Sequence, residues 1–176
     1  MKSTSTQTQV VAFDLEGTLT SGRISNGMTN YLAKYQDINP KSIESYSLLE
    51  ILFLFKGFSV ERFNHMAEWA VANELFPNIR KSVNNELREH KKNGRRIIMV
   101  SAMFEPILSI FAAQLNILDF FGTPLVFDGD IFTGNIQSFM NSEVHKVEKL
   151  APFMTNGKIY AAYGDTVADI PMLEAC

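Results

Sequence analysis

Val10-Val11-Ala12-Phe13-Asp14-Leu15-Glu16-Gly17-Thr18-Leu19-Thr20 carries two carboxylates into a glycine turn from an apolar run. A short valine-led run of this kind fits a strand covered on both faces of a parallel sheet, and Gly17 supplies backbone freedom where the chain must turn. Asp14 and Glu16 are therefore predicted at the strand's carboxyl end, the edge at which open α/β sheets bind ligands. The competing reading is an ordinary strand-to-turn junction with a solvated acidic pair, since short motifs recur by chance.

Further along, Arg96–Val100 and Ile159–Tyr163 are also short and largely apolar, and each is followed closely by a polar residue able to do chemistry. Helical patterns lie between them at Ser82–Lys92, ahead of the turn Asn93-Gly94, and at Glu105–Leu115 and Val144–Met154. The alternation predicts an α/β fold: a Rossmann-like parallel sheet with helices on both faces. Asp128-Gly129-Asp130, between Leu125–Phe127 and Ile131-Phe132, reads as the turn of a small hairpin.

Ser21–Asn78 interrupts this order. It is helical in pattern, rich in aromatics (Tyr31, Tyr35, Tyr46, Phe53, Phe55, Phe58, Phe63, Trp69, Phe76) and divided by breakers at Asn39-Pro40, Gly57 and Pro77. An insertion directly after the carboxylate turn hangs over the ligand edge, so residues 21–78 are expected to form a helical cap whose aromatics fill its own core and do not stack on bases. Residues 1–20 and 79–176 are then the discontinuous α/β core.

The 176 residues suit one domain, or one with an inserted subdomain. With 46% hydrophobic and 20% charged residues the chain has a globular balance, which excludes a disordered one. A net charge of -3 argues against a nucleic-acid surface, and Lys91, Lys92, Arg95 and Arg96 read as a solvated helix end. The single cysteine, Cys176, permits no disulfide within the chain and suits a reducing compartment. Lys2–Gln9 lacks the apolar centre of a signal peptide, and Leu48–Phe55, the nearest approach to a membrane span, is interrupted by Glu50. The expectation is a cytoplasmic protein with a short mobile N-terminal tail, not bound to membrane or nucleic acid.

Ser101 follows the second strand signal and arrives at the same edge as Asp14, either to hold an anion with neighbouring backbone N–H groups or simply to cap the next helix. Gly164-Asp165-Thr166-Val167-Ala168-Asp169 follows the third strand and adds two carboxylates. Asp14, Asp165 and Asp169 together would repel one another unless a cation neutralised them, and hard oxygen donors suit Mg²⁺. Lys146, on the helix before the third strand, is a candidate positive charge for the same pocket; Lys149, one turn on, competes with it.

These motifs, with Phe132-Thr133-Gly134 and Lys146-Val147-Glu148-Lys149-Leu150, resemble the haloacid dehalogenase superfamily over nearly the whole chain, and most closely its phosphoserine phosphatase-like branch. The resemblance implies a Mg²⁺-dependent phosphatase acting on a small phosphorylated metabolite. Asp14 would be the nucleophile that forms an aspartyl-phosphate, and Glu16 the general acid and base. Ser101, Lys146 and backbone N–H groups near Gly17 and Ala102 would hold the phosphoryl oxygens. The metal would rest on Asp14, the Glu16 carbonyl and Asp165, with Asp169 orienting Lys146 or a metal-bound water.

Three departures stand out. Most relatives carry Asp where this chain has Glu16, and the extra methylene moves the proton donor by about 1.5 Å. That leaves open transfer to an alcohol in place of water, and a catalytically silent protein that keeps the fold. Arg23 and Ile51 stand where phosphoserine phosphatases carry groups that grip the substrate's amine and carboxylate, so phosphoserine is disfavoured. The chain also stops at Cys176, soon after the last motif, which points to a truncated chain, a natural short form or an incomplete sequence; a missing edge strand would expose a sheet edge and invite association, and a monomer or weak homo-oligomer is the expected state.

Overall fold

The computed structural model describes residues 8–139 and 143–176; the expected N-terminal tail lies largely outside them. The strands β1 (Val10–Phe13), β2 (Arg96–Phe104), β3 (Asp119–Thr123) and β6 (Ala161–Tyr163) form one parallel sheet in the order β3-β2-β1-β6. The chain leaves β1 toward β2 on one side and returns to β6 on the other, so the crevice between β1 and β6 is the topological switch point.

Alternation of side chains puts Val11, Phe13, Ile97 and Met99 on one face and Val10, Ala12, Ile98 and Val100 on the other. The first face packs on α4 (Lys81–Lys92) through Leu87 and on α5 (Glu105–Gln114) through Ile107, Leu108 and Phe111. The second packs on Leu150 of α6 (Glu143–Leu150) and Met172 of α7 (Ile170–Glu174). Helices therefore cover both faces, as the all-apolar strands require.

Several elements differ from expectation. The second strand continues through Ser101 to Phe104, with a register shift between Val100 and Phe104 where it bends at the sheet edge. The third shrinks to Ala161–Tyr163, although the Tyr160 N–H still reaches the Val10 carbonyl at 2.8 Å. The Val144–Met154 helix divides at Pro152, which lacks an N–H to continue it, into α6 and a 3-10 turn over Ala151–Phe153. The edge strand β3 was not foreseen: Asp-Phe-Phe-Gly-Thr is half-exposed and has neither an apolar run nor clean alternation. Arg96 forks onto the carboxylate of its Asp119 (2.7 and 2.6 Å), while Lys91 binds the Leu115 and Asn116 carbonyls, so the basic run is partly consumed in internal contacts instead of solvated.

Residues 21–78 are helical, with α1 (Ile24–Tyr35), α2 (Leu48–Phe53) and α3 (Val60–Ala70), the last running into a π turn over Val71–Leu75. Asn39 accepts from the Lys41 N–H and Ser47 forms a capping box with Glu50, which sets where the short helices begin. Tyr31, Phe55, Phe58 and Phe63 are buried, whereas Tyr35, Tyr46 and Phe53 lie on the surface. The hairpin β4 (Leu125–Asp128) and β5 (Ile131–Ile136) turns as expected and docks on this segment: Gly57 N–H donates to Phe132 O (2.9 Å), Phe132 N–H to Phe58 O (2.8 Å), and Phe132 packs on Phe63. The helical segment and the first sheet face share one continuous core. Among the described residues no helix is long and apolar enough to cross a membrane.

Behind β1 lies a buried polar cluster. Tyr163 stacks on Phe13 (4.4 Å between centroids), and its hydroxyl is 2.9 Å from His90 Nε2. Arg95 can only donate to His90 Nδ1 (3.1 Å), which places the proton on Nε2. Burial, aided by the Arg95 charge, holds the His90 pKa below its ordinary value against the opposing pull of Glu86. The unfolded chain therefore takes up the proton first, and stability that is full above about pH 6.5 is lost as pH falls below it. Thermal melts should show the His90 contribution as a midpoint that is lower at pH 5 than at pH 7. His90→Gln should flatten that slope; an unchanged slope would clear His90 of it.

Candidate active site

The turn after β1 is built by its own backbone. The Asp14 N–H continues the ladder to Tyr163 O (2.9 Å), Thr20 N–H closes on Leu15 O (3.0 Å), and Gly17 N–H on Thr20 O (2.8 Å). Gly17 was expected to offer its N–H to an anion, but that donor is already spent on Thr20. What Gly17 contributes is space: it sits at φ 89°, and a Cβ there would come 2.1 Å from Asp165 Oδ2. Gly17→Ala should therefore lose about 1–3 kcal/mol of stability and displace Asp165, weakening divalent-cation binding by calorimetry. Thr18 Oγ1 donates to Asp165 Oδ1 (3.1 Å) and ties the first turn to the loop after β6.

Lys146 is buried between two carboxylates, with Nζ 2.9 Å from Asp14 Oδ1 and 2.6 Å from Asp169 Oδ1. Lys149 is exposed beyond it, with its ammonium 6.0 Å from the Phe121 ring centre. Of the two candidate lysines, it is Lys146 that reaches the cluster, because it lies on the inward face of α6. Asp169 is saturated: Oδ2 accepts from the N–H groups of Asp165 (3.2 Å) and Thr166 (3.0 Å) and from Thr166 Oγ1 (2.8 Å). Burial works against ionisation of Asp169, but Lys146 and Thr166 outweigh it and hold its pKa low. Burial dominates at Asp14, whose pKa is raised despite Lys146 and a hydrogen bond with Ser101. The Lys146 pKa is raised as well, its two carboxylates overcoming the burial that alone would lower it.

Ser101 does not cap α5, whose N-cap is Phe104; its Oγ accepts from Met103 N–H (3.2 Å) beside Asp14. Ala102 lines the same cavity, its carbonyl held by Thr123 Oγ1 at 2.7 Å. Glu16 also faces the cavity, and burial raises its pKa against the opposing Arg23 charge and the Ile24 N–H. Arg23 Nη1 lies 3.5 Å from Glu16 Oε1 while the Arg23 N–H is held by Glu74 (3.0 Å), so this arginine meets a carboxylate of its own chain. Ile51 lines a separate cavity between α1 and α2; the residue of α2 at Asp14 is Leu48. Leu48, Ile24, Met103 and Phe139 were not foreseen as site residues, because isolated apolar side chains carry no motif.

The haloacid dehalogenase-like hydrolase family matches residues 11–174. The chain belongs to that family. A probable phosphatase of Mycobacterium tuberculosis is 23% identical, in an alignment covering 93% of this chain and 64% of the relative. The chain thus spans less than two thirds of that curated relative. Among solved structures, a protein of unknown function from Bordetella pertussis superposes with a TM-score of 0.77 at 19% identity, covering 96% of this chain and 87% of its own. A phospho-aspartyl intermediate analogue of phosphoserine phosphatase does so with a TM-score of 0.65 at 19% identity, covering 97% and 84%. At such identities the likeness is one of fold, and it agrees with the phosphoserine phosphatase-like architecture expected from the motifs.

The acidic cluster of this haloacid dehalogenase-like hydrolase fits a divalent cation. Asp14, Asp165 and Asp169 bring carboxylate oxygens within 4.8 Å of one another, and Lys146 offsets only one of three charges. Asp169 already accepts from four donors, three of them on Oδ2, so Asp14 and the exposed Asp165 are the better placed to face an ion. Hard carboxylate oxygens at a solvent-facing mouth suit an ion that keeps several waters.

Proposed function

We propose that this chain hydrolyses a small phosphomonoester through an aspartyl-phosphate on Asp14. The observation that carries this reading is the buried bridge of Lys146 between Asp14 and Asp169, beside Ser101 of β2 and past the carboxyl ends of β1 and β6. A phosphate dianion cannot approach a carboxylate unless donors and positive charge offset the repulsion, and Lys146 and Ser101 stand where that offset is needed. Mg²⁺ held by Asp14, Asp165 and the Glu16 carbonyl would neutralise phosphoryl charge further.

An Asp14 oxygen attacks phosphorus as the bond to the ester oxygen breaks. Glu16, whose raised pKa favours a proton donor, protonates the departing alkoxide. It then takes a proton from the water that attacks the aspartyl-phosphate, which regenerates Asp14. Asp169 keeps Lys146 charged and aimed throughout. Residues 21–78 act as the cap, with Ile24 and Leu48 closing the cavity, and 1–20 with 79–176 form the core. Lack of an internal cysteine pair fits a reducing cytoplasm as the place of work.

The test is phosphate release from phenyl phosphate by the purified chain. Release should require Mg²⁺ and cease with a chelator; release that persists unchanged with the chelator would remove the metal from the reaction.

A further inference from the structure

The cavity at Asp14 is lined by two chemically distinct sets of side chains. One is polar: Asp14, Glu16, Ser101, Thr166 and Lys146. The other is apolar: Ile24, Leu48, Met103 and Phe139, contributed by α1, α2, β2 and the segment after β5. Among the described lining residues Lys146 is the only cation, and Asp14 and Asp169 both hold it. The nearby Arg23 is not part of the lining, and its largely exposed guanidinium lies 3.5 Å from Glu16 Oε1.

A phosphate ester seated at Asp14 must project its alcohol portion against these apolar walls. A carboxylate or second phosphate on that portion would lose water there and find no further cation among the described lining residues. A hydrocarbon would gain, by about fourfold in affinity for each methylene that fits. The cavity of about 210 Å³ lies below the roughly 300–1,000 Å³ typical of sites for drug-sized ligands, so the alcohol is short.

We infer that the site selects the phosphate monoester of a short, uncharged, apolar alcohol and rejects esters whose alcohol bears an anionic group. As a statement about substrate this rests on the phosphatase reading; as a statement about the cavity it does not. Binding of two non-hydrolysable phosphonates separates the two. 4-Methylpentylphosphonate and 4-phosphonobutanoate differ by exchange of an isopropyl group for a carboxylate. Titration calorimetry with Mg²⁺ present should show the first binding on the order of tenfold tighter or more, and Leu48→Arg should narrow or reverse that ratio.

The matching esters, 4-methylpentyl phosphate and 4-phosphooxybutanoate, should follow the same order in kcat/KM. Equal or tighter binding of the carboxylate compound by the unaltered chain would overturn the inference. Discrimination between the phosphonates without turnover of either ester, or of phenyl phosphate, would uphold the ligand preference while removing the phosphatase reading.

Discussion

Asp14→Asn is expected to reduce the rate of phosphate release by about 10⁴-fold or more, the scale on which removal of a nucleophile acts, while leaving the fold intact. Asn has the same shape but supplies no carboxylate oxygen to attack phosphorus. The pattern of stability makes the prediction specific. Burial raises the Asp14 pKa even beside Lys146, so the ionised group is held at a cost in the folded chain. Without metal, the Asn variant should melt at the same temperature as the parent or higher. Single-turnover phosphate release and a thermal melt check both halves, and comparable turnover by the variant would exclude Asp14 as nucleophile.

Lys146→Met should have the largest effect on stability, a loss of about 3–5 kcal/mol by urea unfolding at neutral pH without metal. Methionine fills most of the same volume but leaves Asp14 and Asp169 buried and facing one another without their shared ammonium. With Lys146 gone, both carboxylates bind protons more tightly in the folded state than in the unfolded one. The variant should accordingly regain part of its deficit as pH falls toward 5. The double variant Asp14→Asn/Lys146→Met should be more stable than Lys146→Met alone, since one buried charge has been removed. A deficit under about 1 kcal/mol for the single variant would mean that the bridge contributes little.

The first strand was legible because its four residues are buried on both faces and therefore uniformly apolar. β3 was not, because Asp119, Phe120 and Phe121 are only partly buried and the buried Gly122 and Thr123 are not large apolar residues, so the strand carries no periodic signal. The site shows the same contrast. Asp14, Asp165 and Asp169 come after strands and Ser101 stands just past the apolar run of β2, so reading those runs also locates the polar residues beyond them. Lys146 and Lys149 could not be separated by reading, since both lie on one short helix and only its rotation against the sheet decides which faces in. The Arg23–Glu16 pair and the Leu48 wall involve residues whose neighbours depend on how the chain after the first turn folds back.

Sequence alone determined the α/β class, the family and the chemical groups available, because burial imposes patterns on strands and helices and the polar motif residues stand in a fixed order along the chain. Tertiary structure decided what those groups do to one another. It placed one ammonium between two buried carboxylates, engaged both Asp169 oxygens with donors while leaving Asp165 exposed, spent the Gly17 N–H within its own turn, and brought Ile24, Leu48, Met103 and Phe139 into the lining of the cavity at Asp14. The physical reason is distance: Coulomb, desolvation and hydrogen-bond energies depend on separations of a few ångströms between residues as far apart in sequence as Asp14 and Lys146. Local pattern cannot specify such separations, whereas packing of the whole chain does.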